Sequence, residues 1–142
     1  KHNTLLQSEL SALKTPQQKA YDQKFEAISK FLRERYMNDV SMEDTAAFAG
    51  FSKYHFSRLF KEYYQMSFPE YVTSLRIAKA TELLENPAVS IMDVALQSGF
   101  SSIASFNRAF KRQNQCTPSQ FRKMFDQSTI SWGRAEKKGR LK

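Results

Sequence analysis

The chain is predicted to be all-α, built as two helix-turn-helix subdomains joined by a long linker helix. Three observations carry this. Apolar residues recur at helical rather than strand spacing through most of the sequence. Gly50-Phe51-Ser52, a tight turn between two short amphipathic segments, has a second copy at Gly99-Phe100-Ser101. Between the copies lies one long apolar-periodic run, with Pro69 at its first turn and Asn86-Pro87 closing it.

In chain order, Leu6, Leu10 and Leu13 form a short stripe that Pro16 limits. It admits three readings: a dimer-forming seam, the last helix of a preceding sensor domain, or a frayed terminal helix. A longer helix is expected from about Thr15 or Pro16 to Met37, burying Phe25, Ile28, Phe31, Leu32 and Tyr36. Arg33 and Arg35 sit near its C-terminal end, where the helix dipole favours positive charge. Ser41 caps a short helix that stops at Gly50, which can take the positive φ of a sharp turn. Ser52 caps the next helix, whose buried stripe is Phe56, Leu59 and Phe60. Lys53, Tyr54, Ser57, Arg58 and Lys61 fall on its other faces.

The linker helix, about 68–85, draws its apolar pattern from Tyr71, Val72, Leu75, Ile77, Ala78, Leu83 and Leu84. At ~1.5 Å per residue it spans roughly 25–30 Å. Arg76 on it reads as structural. Ser90 opens the second unit, with Asp93 three residues on in a capping-box-like start. Phe106, Arg108, Phe110 and Lys111 echo Phe56, Arg58, Phe60 and Lys61; Thr117 and Phe121 echo Ser67 and Tyr71. Gly99 trails Gly50 by 49 positions and Phe106 trails Phe56 by 50, so the second turn is one residue longer. Two copies are too few for a solenoid and make two similar half-domains. A last short helix runs from about Pro118 to Phe125. A basic tail with Arg134, Lys137, Lys138, Arg140 and Lys142 is read as disordered, a source of phosphate attraction or an expression remnant. The resulting organisation is an N-terminal linker over 1–24, a double helix-turn-helix domain over 25–126 (first unit about 41–64, second about 90–113) and a tail over 127–142.

At 142 residues the chain is one domain by size, or two very small ones, and each half alone is short of a generous core. A hydrophobic content of 41% suits a folded protein. The net charge of +8 favours polyanionic partners, either nucleic acid or an anionic membrane surface. Cys116 is the single cysteine, so no intrachain disulfide forms, and its place before the cap Thr117 suits a packed residue. No stretch approaches the length of a membrane-spanning helix, and no signal-peptide pattern opens the chain. The chain starts at Lys1, so a longer parent is expected. An enzyme is not expected. There is no Gly-rich phosphate loop, nucleophile elbow or HExxH, and the histidines are only His2 and His55. Glu43, Asp44 and Asp93 lie in first turns, where the dipole explains them. No metal or cofactor is implied.

From about Phe31 to Phe125 the sequence resembles the DNA-binding domain of the AraC/XylS family of bacterial transcription regulators. The resemblance rests on Ala46 with Gly50-Phe51-Ser52, Arg58 with Phe60-Lys61, and Arg76-Ile77 with Ala80 and Leu83-Leu84. It continues through Ser90-Ile91 with Asp93-Val94-Ala95, Gly99-Phe100, Phe106 with Arg108 and Phe110-Lys111, and Thr117-Pro118-Ser119 with Phe121-Arg122. It implies a homeodomain-like fold and a cytoplasmic, nucleoid-associated regulator. It also implies an activator contacting RNA polymerase, with effector sensing or dimerisation in a domain missing upstream. The family usually has Gly past each recognition helix, where this chain has Gln65 and Gln115. A left-handed cap there costs on the order of 1 kcal/mol relative to Gly.

A recognition helix reads base edges with the outward side chains of its N-terminal half. The candidates are Lys53, Tyr54, Ser57 and Arg58 in the first unit, and Ile103, Ala104, Ser105, Asn107 and Arg108 in the second. Each Arg fork matches guanine, and Asn107 matches adenine. Ile103 and Ala104 offer only apolar contact, so the second half is expected to read weakly or lean on shape. Ser41, Ser67, Ser90, Ser102 and Thr117 at helix N-termini, with His55, Lys61, Lys111 and Arg112, are candidate phosphate contacts. The expected function is sequence-specific binding of double-stranded DNA to regulate transcription, the two helices entering major grooves about 34 Å apart. The alternatives are a protein-interaction module with a basic face and a sequence-indifferent nucleic-acid binder.

Overall fold

The computed structural model describes residues 15–126. Six helices lie wholly within them: α1 Pro16–Arg35, α2 Met42–Ala49, α3 Lys53–Tyr64, α4 Phe68–Leu84, α5 Ile91–Gln97 and α6 Ile103–Asn114. A further helix, α7, covers 118–126, and no strand occurs among the described residues. The Leu6, Leu10, Leu13 stripe and the basic tail lie outside the described residues.

Local chemistry places the helix ends. Thr15, Ser41, Ser52, Ser67, Ser90 and Ser102 all have extended backbone, and each side chain accepts from the N–H three residues on. Thr15 and Ser67 form complete capping boxes with Gln18 and Glu70. Ser90 caps without the reciprocal bond to Asp93. α1 ends at Arg35, two residues before the expected Met37, with Tyr36 as its C-cap. The boundary expected between residues 24 and 25 falls inside this helix. Tyr21 packs on Phe51 with ring centroids 6.0 Å apart, and Lys24 Nζ donates to the Ala49 carbonyl at 2.8 Å.

The repeat is written most clearly in the turns. Phe51 N–H donates to the Ala46 carbonyl and Phe100 N–H to the Ala95 carbonyl, both at 2.9 Å. Gly50 and Gly99 have φ of +80° and +105°. The extra residue of the second turn makes Ser102, rather than Ser101, the N-cap of α6.

Each unit keeps its own core. The first gathers Phe25, Ile28 and Leu32 of α1 with Ala46, Phe56, Phe60 and Val72. The second gathers Ile77, Ala80 and Leu84 with Val94, Ala95, Phe106 and Phe110. α4 therefore serves both, its N-terminal half in one core and its C-terminal half in the other. Ala78, expected in the buried pattern, is exposed.

Two arginines repeat one device. Arg76 donates from Nε to the Tyr36 carbonyl at 2.6 Å and from Nη2 to the Asn38 carbonyl at 3.0 Å. Arg122 donates likewise to the Leu84 and Asn86 carbonyls at 3.0 and 3.1 Å. Each guanidinium thus occupies carbonyls at and just past the C-terminal end of the helix that opens its unit, where positive charge is favoured. Burial pushes the Arg76 pKa down. Beside Arg76 the units meet: a Cβ on Gly99 would lie 3.0 Å from Met37 Cα, 3.0 Å from Arg76 Nε and 3.2 Å from the Tyr36 carbonyl oxygen.

Candidate nucleic-acid interface

The buried stripe of α3, Phe56 and Phe60, turns its opposite side outward. Lys53, Tyr54, Ser57, Arg58 and Lys61 are all exposed. Tyr54 is 87% exposed, which excludes a place in the core. His55 is half-buried, edge-on to Phe51 at 5.3 Å, so its ring helps wall the turn.

Lys53 is not a free cation. Its Nζ lies 2.8 Å from Glu43 Oε2, joining the first turn of α2 to the first residue of α3. The hydrogen bond holds the Glu43 carboxyl below its usual pKa and the Lys53 ammonium above its own. Both side chains remain solvent-exposed, so the pair is a modest contact that salt screens. The partners stand ten positions apart with the turn between them, and no helical spacing rule connects them.

On α6 the corresponding side presents Ile103, Ala104, Asn107, Arg108, Lys111 and Arg112, all exposed. Ser105 departs from the expected outward set. It is half-buried, and its hydroxyl lies 3.2 Å from the Ser102 carbonyl and 3.1 Å from the Ser102 hydroxyl. A serine three residues after a serine N-cap finds these local partners, which compete with base contact. Ile103, Asn107, Arg108 and Lys111 share a groove of about 520 Å³ with Ile91 and Thr117.

The helix N-termini differ in what they offer an anion. At Ser41 and Ser90 the cap hydroxyl accepts from Asp44 and Asp93 N–H, and first-turn carboxylates, Glu43 and Asp44 at one end and Asp93 at the other, accompany the remaining amides. The Thr117 N–H donates to the neutral Gln120 side chain at 2.9 Å. The Ser67 N–H donates to the Glu70 carboxylate at 3.0 Å, which would repel phosphate. These bonds to Ser67 hold the Glu70 pKa down, and the charges of Lys61 and Arg112 add to the effect. Glu70 and Arg112 line one cleft between α4 and α6, together with Met66, Ser74 and Gln113. Arg112 therefore faces the linker helix as well as solvent. Ser67-Phe68-Pro69-Glu70 is a legible capping box in sequence, but its meeting with both recognition helices is a tertiary fact.

The family profile described as "Helix-turn-helix domain" matches residues 45–124. The Probable transcription factor PqrA of Proteus vulgaris is 39% identical over 83 residues, 58% of this chain and 68% of that protein. Two other curated relatives, from Salmonella typhimurium, extend well past the match: the chain spans 32% and 36% of their lengths. Among solved structures, an AraC-type regulator of Chromobacterium violaceum superposes with a TM-score of 0.68 at 27% identity, covering 74% of this chain and 94% of that one. The DNA-binding domain of AdpA, a global transcriptional factor solved in complex with a target DNA, gives 0.66 at 25% identity over 70% of this chain and 89% of that one. Among the described residues no helix is long and apolar enough to cross a membrane. With the repeated turns, the outward arginines and these matches in agreement, the chain belongs to the AraC/XylS family of helix-turn-helix transcription regulators.

Proposed function

We propose that this chain binds duplex DNA as one reading unit with two recognition helices, α3 and α6, in major grooves one turn apart, and so regulates transcription. The observation that carries this reading is the pair Arg58 and Arg108: matching positions of the repeat, both exposed, Arg58 in a groove with Lys61, Glu62 and Gln65 and Arg108 in one with Asn107 and Lys111. Arg58 and Arg108 read guanine, Asn107 reads adenine, and Tyr54 packs on a sugar or a thymine methyl. Lys61, Lys111 and the N-termini at Ser41, Ser90 and Thr117 hold phosphates, Thr117 being the end whose capping partner, Gln120, is neutral. The finer reading is a non-enzymatic cytoplasmic activator that meets RNA polymerase and takes its effector or dimer signal from an upstream segment. Its support is the family membership and the longer relatives.

Selection from a random-sequence pool should enrich one duplex of roughly 20 bp, two major grooves long. Arg58→Ala should then relax preference in one half-site and Arg108→Ala in the other, each by about 1–3 kcal/mol of base discrimination. Equal loss on all sequences would reduce both arginines to phosphate contacts. Affinity indifferent to salt would favour a protein partner instead.

A further inference from the structure

The two recognition helices share a scaffold but not a chemistry at their first turns. By the repeat, Lys53 and Tyr54 of α3 correspond to Ile103 and Ala104 of α6, and Glu43 of α2 corresponds to Met92 of α5. The Glu43–Lys53 ion pair thus gives way to two aliphatic side chains, 57% exposed at Met92 and 39% exposed at Ile103. Ile103 is not among the residues packed against the second core. It lies instead in a groove with Ile91, Asn107, Arg108, Lys111, Thr117 and Ser119, a lining that combines aliphatic, polar and cationic side chains. The thymine C5-methyl is the apolar group that a base pair displays in the major groove.

We infer that the second unit reads thymine methyl groups with Ile103 and Ala104, one helical turn ahead of the bases met by Asn107 and Arg108. The first unit carries Lys53 and Tyr54 in those places and has no aliphatic side chain at either. This rests on the function proposed above and assigns its second half-site a chemistry. Burying one methyl is worth about fourfold in affinity.

The test uses the full chain and the duplex it enriches, remade with deoxyuridine for thymidine one position at a time. Deoxyuridine keeps every hydrogen-bonding group and lacks only the methyl. In the half-site relaxed by Arg108→Ala, one or two positions should weaken binding about three- to fivefold. Ile103→Ala should remove that sensitivity at one such position, leave sensitivities in the other half-site intact, and keep the melting temperature. Deoxyuridine tolerated throughout the second half-site, or a penalty that persists undiminished in both Ile103→Ala and Ala104→Gly, would overturn the inference while leaving DNA reading in place. A chain that enriches no duplex would overturn the function reading, and this inference with it.

Discussion

Gln65 and Gln115 hold left-handed backbone, with φ of +61° and +59°, where a glycine would sit without strain. Each side chain offers something glycine cannot. Gln65 Nε2 donates to the Glu62 carbonyl at 2.9 Å and Gln115 Nε2 to the Arg112 carbonyl at 3.1 Å. These carbonyls are among the orphans that end a helix. Strain and the added hydrogen bond are of similar size, on the order of 1 kcal/mol each. Gln115→Gly is therefore expected to leave stability within about 1 kcal/mol, whereas Gln115→Ala keeps the strain, loses the bond and destabilises by about 0.5–1.5 kcal/mol. Urea titration of both variants checks the sign. The left-handed cap was legible as a position in the repeat. Its compensation was not, because the amide reaches a carbonyl by a rotamer that sequence does not specify.

At the scale of the helix, α4 shows what pattern can and cannot reveal. Its start at Ser67-Pro69-Glu70 and its stop before Asn86-Pro87 are local signals, and both placed the helix within a residue. Its division between two cores, the Arg76 and Arg122 bonds, and the cleft that Glu70 shares with Arg112 are long-range. Arg76 and Arg122 find partners 36 to 40 residues away, beyond any periodicity. Glu70→Gln separates the two roles of that side chain. Glutamine still completes the capping box, but the negative charge that shares a cleft with Arg112 and acts on Lys61 is gone. Binding to random duplex should tighten severalfold at low salt, with a steeper dependence on salt concentration and an unchanged helix signal in circular dichroism. An unaltered salt slope would mean that Lys61 and Arg112 do not meet phosphate. The reading faces were legible because a buried stripe dictates its opposite. Ser105 and Lys53 were harder, since one turned to a cap and the other to a carboxylate.

For the molecule as a whole, the two units are set against each other by α4 and by the close approach at Gly99. The two turn glycines make a controlled comparison. A Cβ at Gly50 meets only Lys24 Nζ, at an ordinary contact distance of 3.5 Å, so Gly50→Ala adds backbone strain of about 1–2 kcal/mol and little else. A Cβ at Gly99 meets Met37 Cα, which cannot swing aside, so Gly99→Ala must also shift one unit against the other. It should lose more stability than Gly50→Ala. Its affinity should fall further for a duplex carrying both half-sites than for either half-site alone, measured by fluorescence anisotropy. Equal losses on all three duplexes would show that the units find their spacing without this contact.

The duplication is kept in the buried positions and, on the outward side, at Arg58 with Arg108 and Lys61 with Lys111, while the positions around them differ. The framework that orients each helix is therefore separable from the vocabulary each helix carries. Grafting Ile103, Ala104 and Asn107 onto the places of Lys53, Tyr54 and Ser57 touches neither aromatic interior. The same short word would then be spoken twice, in one direction, along the target. In this architecture, rewriting a preference is an edit to a few surface letters rather than a rebuilding of the protein.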